Sequence, residues 1–295
     1  MKKWYHDYGL QARMMLTMFL LAAVYLFFLV ILAVYVGVET YGLLILAAIF
    51  LLVQFFLSDR LVLWSMRGRI VSEQEEPRLH ETVSRLCAIA DLPKPKIAIV
   101  DSPVPNAFAT GRSKGSALVA VTTSLKQKLS QPELEAVLAH ELSHVKNRDM
   151  LVITIASFLS TLAFFLVRYM LFFGMGGRGR DRGANAAIIV WIISIVVWIV
   201  SYLLIQALSR YREFAADRGS AIITGNPSHL VSALMAISGM MERVPSQDLR
   251  EVEGMNAFFI IPAISGKSVM NLFSTHPPIE ARIRALEEME RRMEF

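Results

Sequence analysis

The sequence is poor in charge and in cysteine. Charged residues make up 19% of the 295 positions and hydrophobic residues 55%, and the mean hydropathy is +0.48. This balance excludes an ordinary water-soluble domain and is typical of membrane proteins. The single cysteine, Cys87, excludes an intramolecular disulfide.

Acidic residues are fewer than basic ones, so the formal net charge is +5 and the pI is about 9.4. In membrane proteins such an excess commonly lies in loops that face anionic lipid headgroups. We therefore expect the lipid bilayer, and no nucleic acid, as the partner of the basic residues.

Four apolar runs are candidates for membrane helices. About 20 residues cross a hydrocarbon core of about 30 Å, because a helix rises 1.5 Å per residue. We expect the first run to be a retained anchor rather than a signal peptide, because a second run follows it without an obvious small-residue cleavage site. The runs are Met14–Val36, Tyr41–Leu57, Met150–Val167 and Ala186–Leu208.

Basic residues predict the orientation of the first pair of runs. Three precede the first run and three follow the second, so the N-terminus and the segment after Leu57 are expected in the cytoplasm. The second pair is ambiguous because its connection also carries three arginines; either the rule fails there or the pair does not fully cross. These residues are Lys2, Lys3 and Arg13, then Arg60, Arg67 and Arg69, and finally Arg178, Arg180 and Arg182.

The polar segment after the first pair of runs predicts mixed α and β structure. Glu75–Ala90 has the apolar periodicity of a helix, Ile97–Val100 reads as a strand, and Gly111–Gly115 reads as a hairpin connection into Ser116–Val121. Ser130 and Glu133 then form a capping box, with a proline between them, that begins a long helix.

The final polar segment predicts helices. The fourth run continues to Gly219 or Gly225, Asn226-Pro227 begins another helix, and Ser274-Thr275 caps a last one at Ile279–Met293. We therefore expect a membrane α+β fold in which four hydrophobic helices accompany a zincin-like domain formed from two separated segments. The predicted parts are an anchor at 1–57, catalytic segments at 58–149 and 209–295, and a hydrophobic hairpin at 150–208.

The sequence HELSH at His140–His144 predicts a zinc site. Histidines at i and i+4 lie on one face of a helix, so both rings can reach one ion at about 2.0–2.1 Å. Glu141 lies beside His140, where it can take a proton from a zinc-activated water as general base. HETVS at positions 80–84 lacks the second histidine, so His80 is expected to be a helix-surface residue.

A catalytic zinc ion commonly takes a third protein ligand. The HExxHxxGxxH pattern is excluded because Asn147 and Met150 stand where it needs glycine and histidine. Glu213 on a later helix is the predicted third ligand, and a solvated helix charge is the alternative. Asp217, one turn further, is predicted to accept a hydrogen bond from a ligand imidazole. If His140, His144 and Glu213 bind one ion, the hairpin at 150–208 must begin and end on one side of the membrane.

These motifs resemble the HtpX-like membrane zinc metalloproteases, relatives of the CAAX prenyl endopeptidases within the gluzincins. The resemblance covers essentially the whole chain: two N-terminal spans, NAFATG at Asn106–Gly111, HELSH, a second hydrophobic pair, EFAAD at Glu213–Asp217 and STHPP near the end. It implies a multi-pass endopeptidase of the cell (inner) membrane with its N-terminus and catalytic domain in the cytoplasm. One Zn²⁺ per chain and a role in membrane protein quality control are also implied, with protein or peptide substrates and other membrane quality-control proteases as partners.

Three further places are candidates for substrate contact or catalysis. Asn106, Ala107 and Phe108 resemble an edge strand that pairs with an extended substrate, and a plain turn capped by Asn106 is the alternative. His276 either donates a hydrogen bond to the developing oxyanion or simply begins a helix. Arg210, one turn before Glu213, either steers a substrate carbonyl or pairs with that carboxylate.

The sequence thus predicts a zinc-dependent endopeptidase that cleaves misfolded or membrane-associated proteins. A processing protease for lipid-modified peptides is the alternative enzyme. A non-catalytic membrane scaffold with structural zinc is the alternative from another class, and Glu141 argues against it because a structural site needs no base. A transporter is disfavoured because the apolar runs carry little charge.

Overall fold

Helices make up most of the structure, and one small sheet accompanies them. The computed structural model describes residues 8–35, 45, 49, 63–111, 113–169, 181–244 and 276–293. The elements in chain order are α1 Tyr8–Tyr35, β1 Gly68–Ile70, α2 Pro77–Ala90, β2 Lys96–Val100, β3 Ala107–Thr110, a 3₁₀ turn at Lys114–Ser116, β4 Leu118–Thr122, α3 Thr123–Lys128, α4 Gln131–Asn147, α5 Asp149–Tyr169, α6 Asp181–Thr224, α7 Pro227–Met241 and α8 Ile279–Met293.

The chain divides into two units. The first, here named the site unit, comprises Met1–Asp7, Leu57–Leu151 and Ser209–Phe295. The second, named the apolar unit, comprises Tyr8–Phe56 and Val152–Leu208.

Long apolar helices form the apolar unit. Within the described residues, Tyr8–Ile31 and Ile188–Thr224 are long and apolar enough to cross a membrane. The third predicted run is also helical, as part of α5, whereas the second, Tyr41–Leu57, lies outside the described residues except for positions 45 and 49. Leu21, Ala156 and Leu208 pack together in this unit, and the Tyr25 hydroxyl donates a hydrogen bond to the Ala156 carbonyl.

Four strands form the sheet of the site unit, in the order β1-β2-β4-β3. β2 and β4 are parallel, while β1 and β3 lie antiparallel at the two edges. The central strand β4 is buried along its whole length, as a continuous apolar run such as LVAVT favours. The predicted hairpin is confirmed, since Ala107 pairs with Val121 and Thr110 with Leu118.

Helix α2 begins at Pro77, two residues later than the predicted Glu75. A proline suits the first helical turn because its missing N–H has no helical partner there. His80 on this helix was expected at the surface, and that prediction is wrong. The residue is buried at 9% exposure, with Nε2 3.0 Å from the Val71 carbonyl oxygen.

The capping box predicted for α4 is confirmed. Glu133 accepts hydrogen bonds from the backbone N–H and the hydroxyl of Ser130, so the helix begins at Gln131. The helix ends at Asn147, and Arg148 follows in the left-handed conformation with φ 55°. Buried apolar residues of α4 pack against α2, β3 and α7, and they belong to the main hydrophobic core.

The helices after the fourth apolar run also follow the prediction. α6 ends at Thr224, before Gly225 with φ 74°, and Asn226 caps α7 by accepting a hydrogen bond from the Ser228 N–H. α8 spans the predicted Ile279–Met293 and packs on α7. The predicted cap at Ser274-Thr275 lies outside the described residues.

Candidate metal centre

The two histidines of HELSH face each other on one side of α4. Their Nε2 atoms lie 3.1 Å apart, and the two rings are nearly perpendicular, with an interplanar angle of 88°. This arrangement follows from the i, i+4 spacing, which places the residues one turn apart on the same face. Both rings therefore direct one nitrogen to a common point.

Glu213 of α6 completes this group, as the sequence predicts for the third ligand. Its Oε1 lies 3.4 Å from His144 Nε2 and its Oε2 lies 3.6 Å from His140 Nε2. Ligand atoms of the three residues all fall within 4.8 Å of one another. Two segments separated by the apolar runs of α5 and α6 thus meet at one point of the site unit.

The spacing of these three donors fits zinc. Zinc bonds to nitrogen and oxygen of about 2.0–2.2 Å in a tetrahedron separate the ligand atoms by about 3.3–3.6 Å. The observed separations are 3.1, 3.4 and 3.6 Å. Two imidazole nitrogens and a carboxylate also form the donor set of known catalytic zinc sites, which keep a fourth position open.

A carboxylate and an arginine lie behind His140. Asp217, one turn after Glu213, has its Oδ1 2.9 Å from His140 Nδ1. Arg282 of α8 donates two hydrogen bonds to the same carboxylate, from Nε to Oδ2 at 2.8 Å and from Nη2 to Oδ1 at 2.6 Å. Although burial alone lowers it, the neighbouring Asp217 raises the pKa of the Arg282 guanidinium above its usual range. Arg282 therefore stays charged and holds Asp217 in place.

A second carboxylate and arginine lie behind His144. His144 Nδ1 is 2.7 Å from Asp149 Oδ2, and the other oxygen of Asp149 pairs with Arg212. Arg212 also donates a hydrogen bond of 3.1 Å to the carbonyl of Asn147, at the end of α4. Both histidines thus have Nδ1 directed to a carboxylate and Nε2 directed to the common point, which is the arrangement of metal-binding histidines.

Glu141 lies next to these groups and is buried at 5% exposure. Burial raises the pKa of its carboxyl, while the two histidines and a hydrogen bond from the backbone of Ala109 oppose that rise. A carboxylate with a raised pKa is a stronger base near neutral pH. The position and chemistry of Glu141 suit a general base.

His276 lies at the same site. Its side chain is buried, and its Nδ1 is 3.2 Å from Glu213 Oε2. The residue therefore contacts the proposed third ligand, and its oxyanion role stays a prediction. Arg210 is half-buried on α6, and its part in substrate binding also stays a prediction.

The stretch Asn106–Phe108 leads into the edge strand β3. Asn106 exchanges hydrogen bonds with Thr122: its C=O accepts from the Thr122 N–H and its own N–H donates to the Thr122 hydroxyl. Asn106, Ala107 and Phe108 are each exposed by 2% or less. Their side chains thus belong to the interior, so a substrate could meet this strand only through its backbone.

The helices that carry the predicted ligands approach closely at Gly219. A Cβ atom at this position would lie 2.7 Å from Ser143 Cβ and closer still to its hydroxyl. A contact this short requires glycine or a shift of the helices. The Ser220 hydroxyl also donates a 2.6 Å hydrogen bond to the Ala136 carbonyl. These contacts bring Glu213 and Asp217 within reach of α4.

Sequence reasoning missed three residues of this site, namely Asp149, Arg212 and Arg282. Arg282 follows Ile279 by three residues and precedes Leu286 by four, so it interrupts the apolar face of α8. An arginine on such a face signals a buried ion pair. Asp149 and Arg212 border the apolar runs. A charged residue at such a position resembles one that is exposed to solvent at the end of a membrane helix.

Comparisons with known proteins identify the family of the chain. The chain matches peptidase family M48 over residues 73–290. It is 63% identical over 292 residues to Protease HtpX homolog 2 of Methanosarcina mazei, covering 99% of each chain. It is 59% identical over 290 residues to Protease HtpX homolog of Moorella thermoacetica, covering 98% of this chain and 97% of that one.

One solved structure is also similar, the crystal structure of S. mikatae Ste24p. The TM-score is 0.59 at 18% identity, and the match covers 95% of this chain and 67% of that one. At this identity the likeness concerns the fold alone. The family match spans most of the chain, and the two relatives match it over nearly their full length. This chain therefore belongs to peptidase family M48, as an HtpX-like membrane metalloprotease.

Proposed function

We propose that the protein is a membrane-bound zinc endopeptidase that cleaves misfolded or membrane-associated proteins at the cytoplasmic face. The observation that carries the proposal is the meeting of His140, His144 and Glu213 at one point, with ligand atoms within 4.8 Å. Glu141 beside this point supports a catalytic rather than a structural site, because a structural zinc site has no need of a base.

His140, His144 and Glu213 would hold one zinc ion, with Asp217 fixing the ring of His140. A bound zinc ion lowers the pKa of a coordinated water to near neutrality and polarises a carbonyl. Glu141 takes a proton from the attacking water as the water oxygen bonds to the scissile carbon. Glu141 then returns that proton to the amine nitrogen as the C–N bond breaks.

We propose that His276 acts at the same site in two ways. Its Nδ1 lies 3.2 Å from Glu213 Oε2, which supports a role in holding that ligand. An imidazole in this position is also suited to donate a hydrogen bond to the oxyanion that forms when water attacks. Arg210, one turn before Glu213 on α6, would contact the substrate chain.

The substrate would add a strand to the edge of β3 that faces away from β4. Along a strand, the backbone N–H and C=O groups of successive residues point to alternate sides. Because Asn106 pairs with Thr122, the backbone groups of Ala107 and Ala109 point away from β4. Ala107 is buried and Ala109 is half-buried. We therefore propose that the predicted Asn106–Phe108 stretch supports the edge and that the substrate backbone pairs with the Ala109 carbonyl, since the Ala109 N–H donates to Glu141.

We propose that the chain crosses the membrane more than once, with the catalytic segments in the cytoplasm. Two long apolar helices within the described residues support the membrane location. Arg60, Arg67 and Arg69, which follow the second apolar run, support the orientation.

The proposed parts of the chain follow from this arrangement. The anchor at 1–57 and the hydrophobic hairpin at 150–208 supply four hydrophobic helices, and the zincin-like catalytic domain combines 58–149 with 209–295. The grouping of Leu57–Leu151 with Ser209–Phe295 in one unit supports this division. Quality control as the physiological role, together with other quality-control proteases, is proposed from the sequence resemblance.

Hydrolysis of an unfolded soluble protein by the detergent-purified enzyme tests the function. Wild type and Glu141→Gln are purified with chelator, to prevent self-cleavage, and then given zinc. We expect zinc-dependent cleavage by wild type and a loss of about 10²–10⁴-fold in the variant. Glu135→Gln is the matched control, because Glu135 lies on α4 in an ion pair with Arg85 away from the metal ligands.

Two other results would overturn parts of the proposal. Full activity in Glu141→Gln would contradict the assignment of the base. Cleavage of a lipid-modified peptide, with no cleavage of the unfolded protein or of a destabilised membrane protein, would favour a processing protease instead.

A further inference from the structure

Both proposed histidine ligands have the same type of support, but the two supports come from different parts of the chain. His140 is backed by Asp217 and Arg282, which lie in α6 and α8. His144 is backed by Asp149 and Arg212, which lie at the beginning of α5 and in α6. Asp217 belongs to the EFAAD motif, whereas no sequence motif predicted Asp149 or Arg212.

The Asp149–Arg212 pair is buried. Asp149 is exposed by 6% and Arg212 by 5%, and each contacts more than its partner. Asp149 Oδ2 lies 2.7 Å from His144 Nδ1, while Arg212 Nη2 donates a 3.1 Å hydrogen bond to the Asn147 carbonyl. An unpaired buried carboxylate or guanidinium is costly, so each charge here depends on the other.

The pair has a special place along the chain. Asp149 is two residues before Leu151, where the first long segment of the site unit ends, and Arg212 is three residues after Ser209, where the next begins. Between α4 and α5 the chain turns at Arg148, in the left-handed conformation. The pair therefore joins the two ends of the site unit between which residues 152–208 are inserted.

We propose that Asp149, held by Arg212, is a positioning residue for the metal ligand His144. The carboxylate accepts a hydrogen bond from Nδ1–H, which fixes the tautomer and the ring so that Nε2 is presented to the metal. Arg212 acts through Asp149: it holds the carboxylate towards the ring and ties it to the end of α4. The inference rests on the proposed zinc function and extends it to residues outside the HExxH and EFAAD motifs.

The predicted consequence is a change in zinc affinity. Partners that hydrogen-bond to a ligand imidazole contribute about 10–100-fold to metal affinity. An Asp149→Asn variant keeps the size of the side chain but loses the charge that holds both His144 and Arg212. An Arg212→Met variant leaves the carboxylate beside His144 but removes its restraint.

Zinc affinity of detergent-purified full-length protein is the measurement, by competition with a chromophoric chelator. We expect about 10–100-fold weaker binding for Asp149→Asn and a smaller loss for Arg212→Met. In the double variant we expect no loss beyond that of Asp149→Asn alone, because Arg212 acts through Asp149. Such non-additivity is what a double-mutant cycle detects.

Controls separate positioning from a general loss of structure. The exposed pair Glu288–Arg292 on α8 is the matched ion pair, and Glu288→Gln should leave zinc affinity unchanged. The visible absorption of the Co²⁺-loaded variants reports ligand geometry independently of activity, and we expect it to change in Asp149→Asn. Asp149→Glu, which retains a carboxylate, should recover part of the zinc affinity.

Three results would overturn the inference. They are wild-type zinc affinity in Asp149→Asn, additive losses in the double variant, and an unchanged Co²⁺ spectrum accompanied only by lower thermal stability. Should Asp149→Asn fail to fold, Arg212→Met with wild-type zinc affinity and spectrum would contradict the role of Arg212. These outcomes differ from failure of the proposed function, in which wild type itself would bind no zinc or cleave no protein.

Discussion

The apolar unit and the site unit leave different kinds of side chain exposed. In the apolar unit, large residues such as Phe19 and Leu26 are exposed by 68% and 67%, whereas Ser194 and Ser201 are fully buried. In the site unit, Leu138 and Leu142 of α4 are fully buried, and charged side chains are buried mainly around the ligand group. The two units thus differ in which surface each leaves exposed.

The difference reflects the medium that each unit meets. Lipid tails are as apolar as a leucine side chain, so burying an apolar side chain between membrane helices gains no hydrophobic free energy. Helices in a membrane therefore associate through small and polar residues. In water the apolar side chains go inside, and a buried charge survives only with a partner. The site unit meets this condition with the pairs Asp217–Arg282 and Asp149–Arg212.

The largest expected effect distinguishes the proposed metal ligand His144 from Ser201, a buried polar residue of the apolar unit. His144→Ala should abolish zinc binding at one ion per chain, and with it hydrolysis, because two donors do not hold a catalytic zinc. Ser201→Ala should keep both. Metal analysis and a cleavage assay on the two purified variants check this. Stoichiometric zinc in His144→Ala would break the comparison.

Introducing a charge on an exposed apolar position sharpens the contrast between the two media. Phe19→Arg, near the middle of α1, should destabilise insertion by about 2.5–3.5 kcal/mol. Ile89→Arg is the matched control, because Ile89 is exposed by 53% on α2 of the site unit. A surface substitution of this type changes stability by about 0.5 kcal/mol or less.

The amount of folded protein in the membrane fraction and thermal unfolding in lipid nanodiscs measure both effects. Equal tolerance of arginine at positions 19 and 89 would contradict the assignment of α1 to the bilayer.

The smallest expected effects are changes in stability caused by two glycine substitutions, and they have opposite signs. Gly219→Ala forces the added methyl against Ser143 and should cost about 1–3 kcal/mol. Gly239→Ala meets no atom within 4 Å in α7 and should stabilise by up to about 1 kcal/mol, because alanine favours helix. Thermal unfolding measures both, and Ser143→Gly should relieve the first. Stabilisation by Gly219→Ala would show that the two helices do not approach as described.

Sequence signals were sufficient where the physics is local. The capping box at Ser130, the spacing of His140 and His144, and the limits of α8 each depend on residues within a few positions of one another. The parallel pairing of β2 with β4 joins strands that are separated by another strand, and no local pattern specifies it. The order of the sheet therefore had to come from the structure.

The site itself was predictable in part. Glu213 and Asp217 could be proposed because their types and spacing match a known chemistry, whereas Asp149 and Arg212 meet only in the folded chain. His80 was misjudged because its partner is the Val71 carbonyl, a backbone group that no side-chain pattern reveals. Long-range partners of buried polar groups are thus the part that sequence leaves open.

The most direct test of the central claim is the zinc content of a Glu213→Gln variant. Glu213 lies beyond the apolar run of α6, so only the fold brings it to the histidines of α4. The protein is loaded with zinc, exposed to a competing chelator and assayed for metal per chain, with Glu135→Gln as control. We predict loss of zinc in Glu213→Gln and one ion per chain in wild type and control. One zinc ion per chain with wild-type affinity in Glu213→Gln would contradict a site built from both segments.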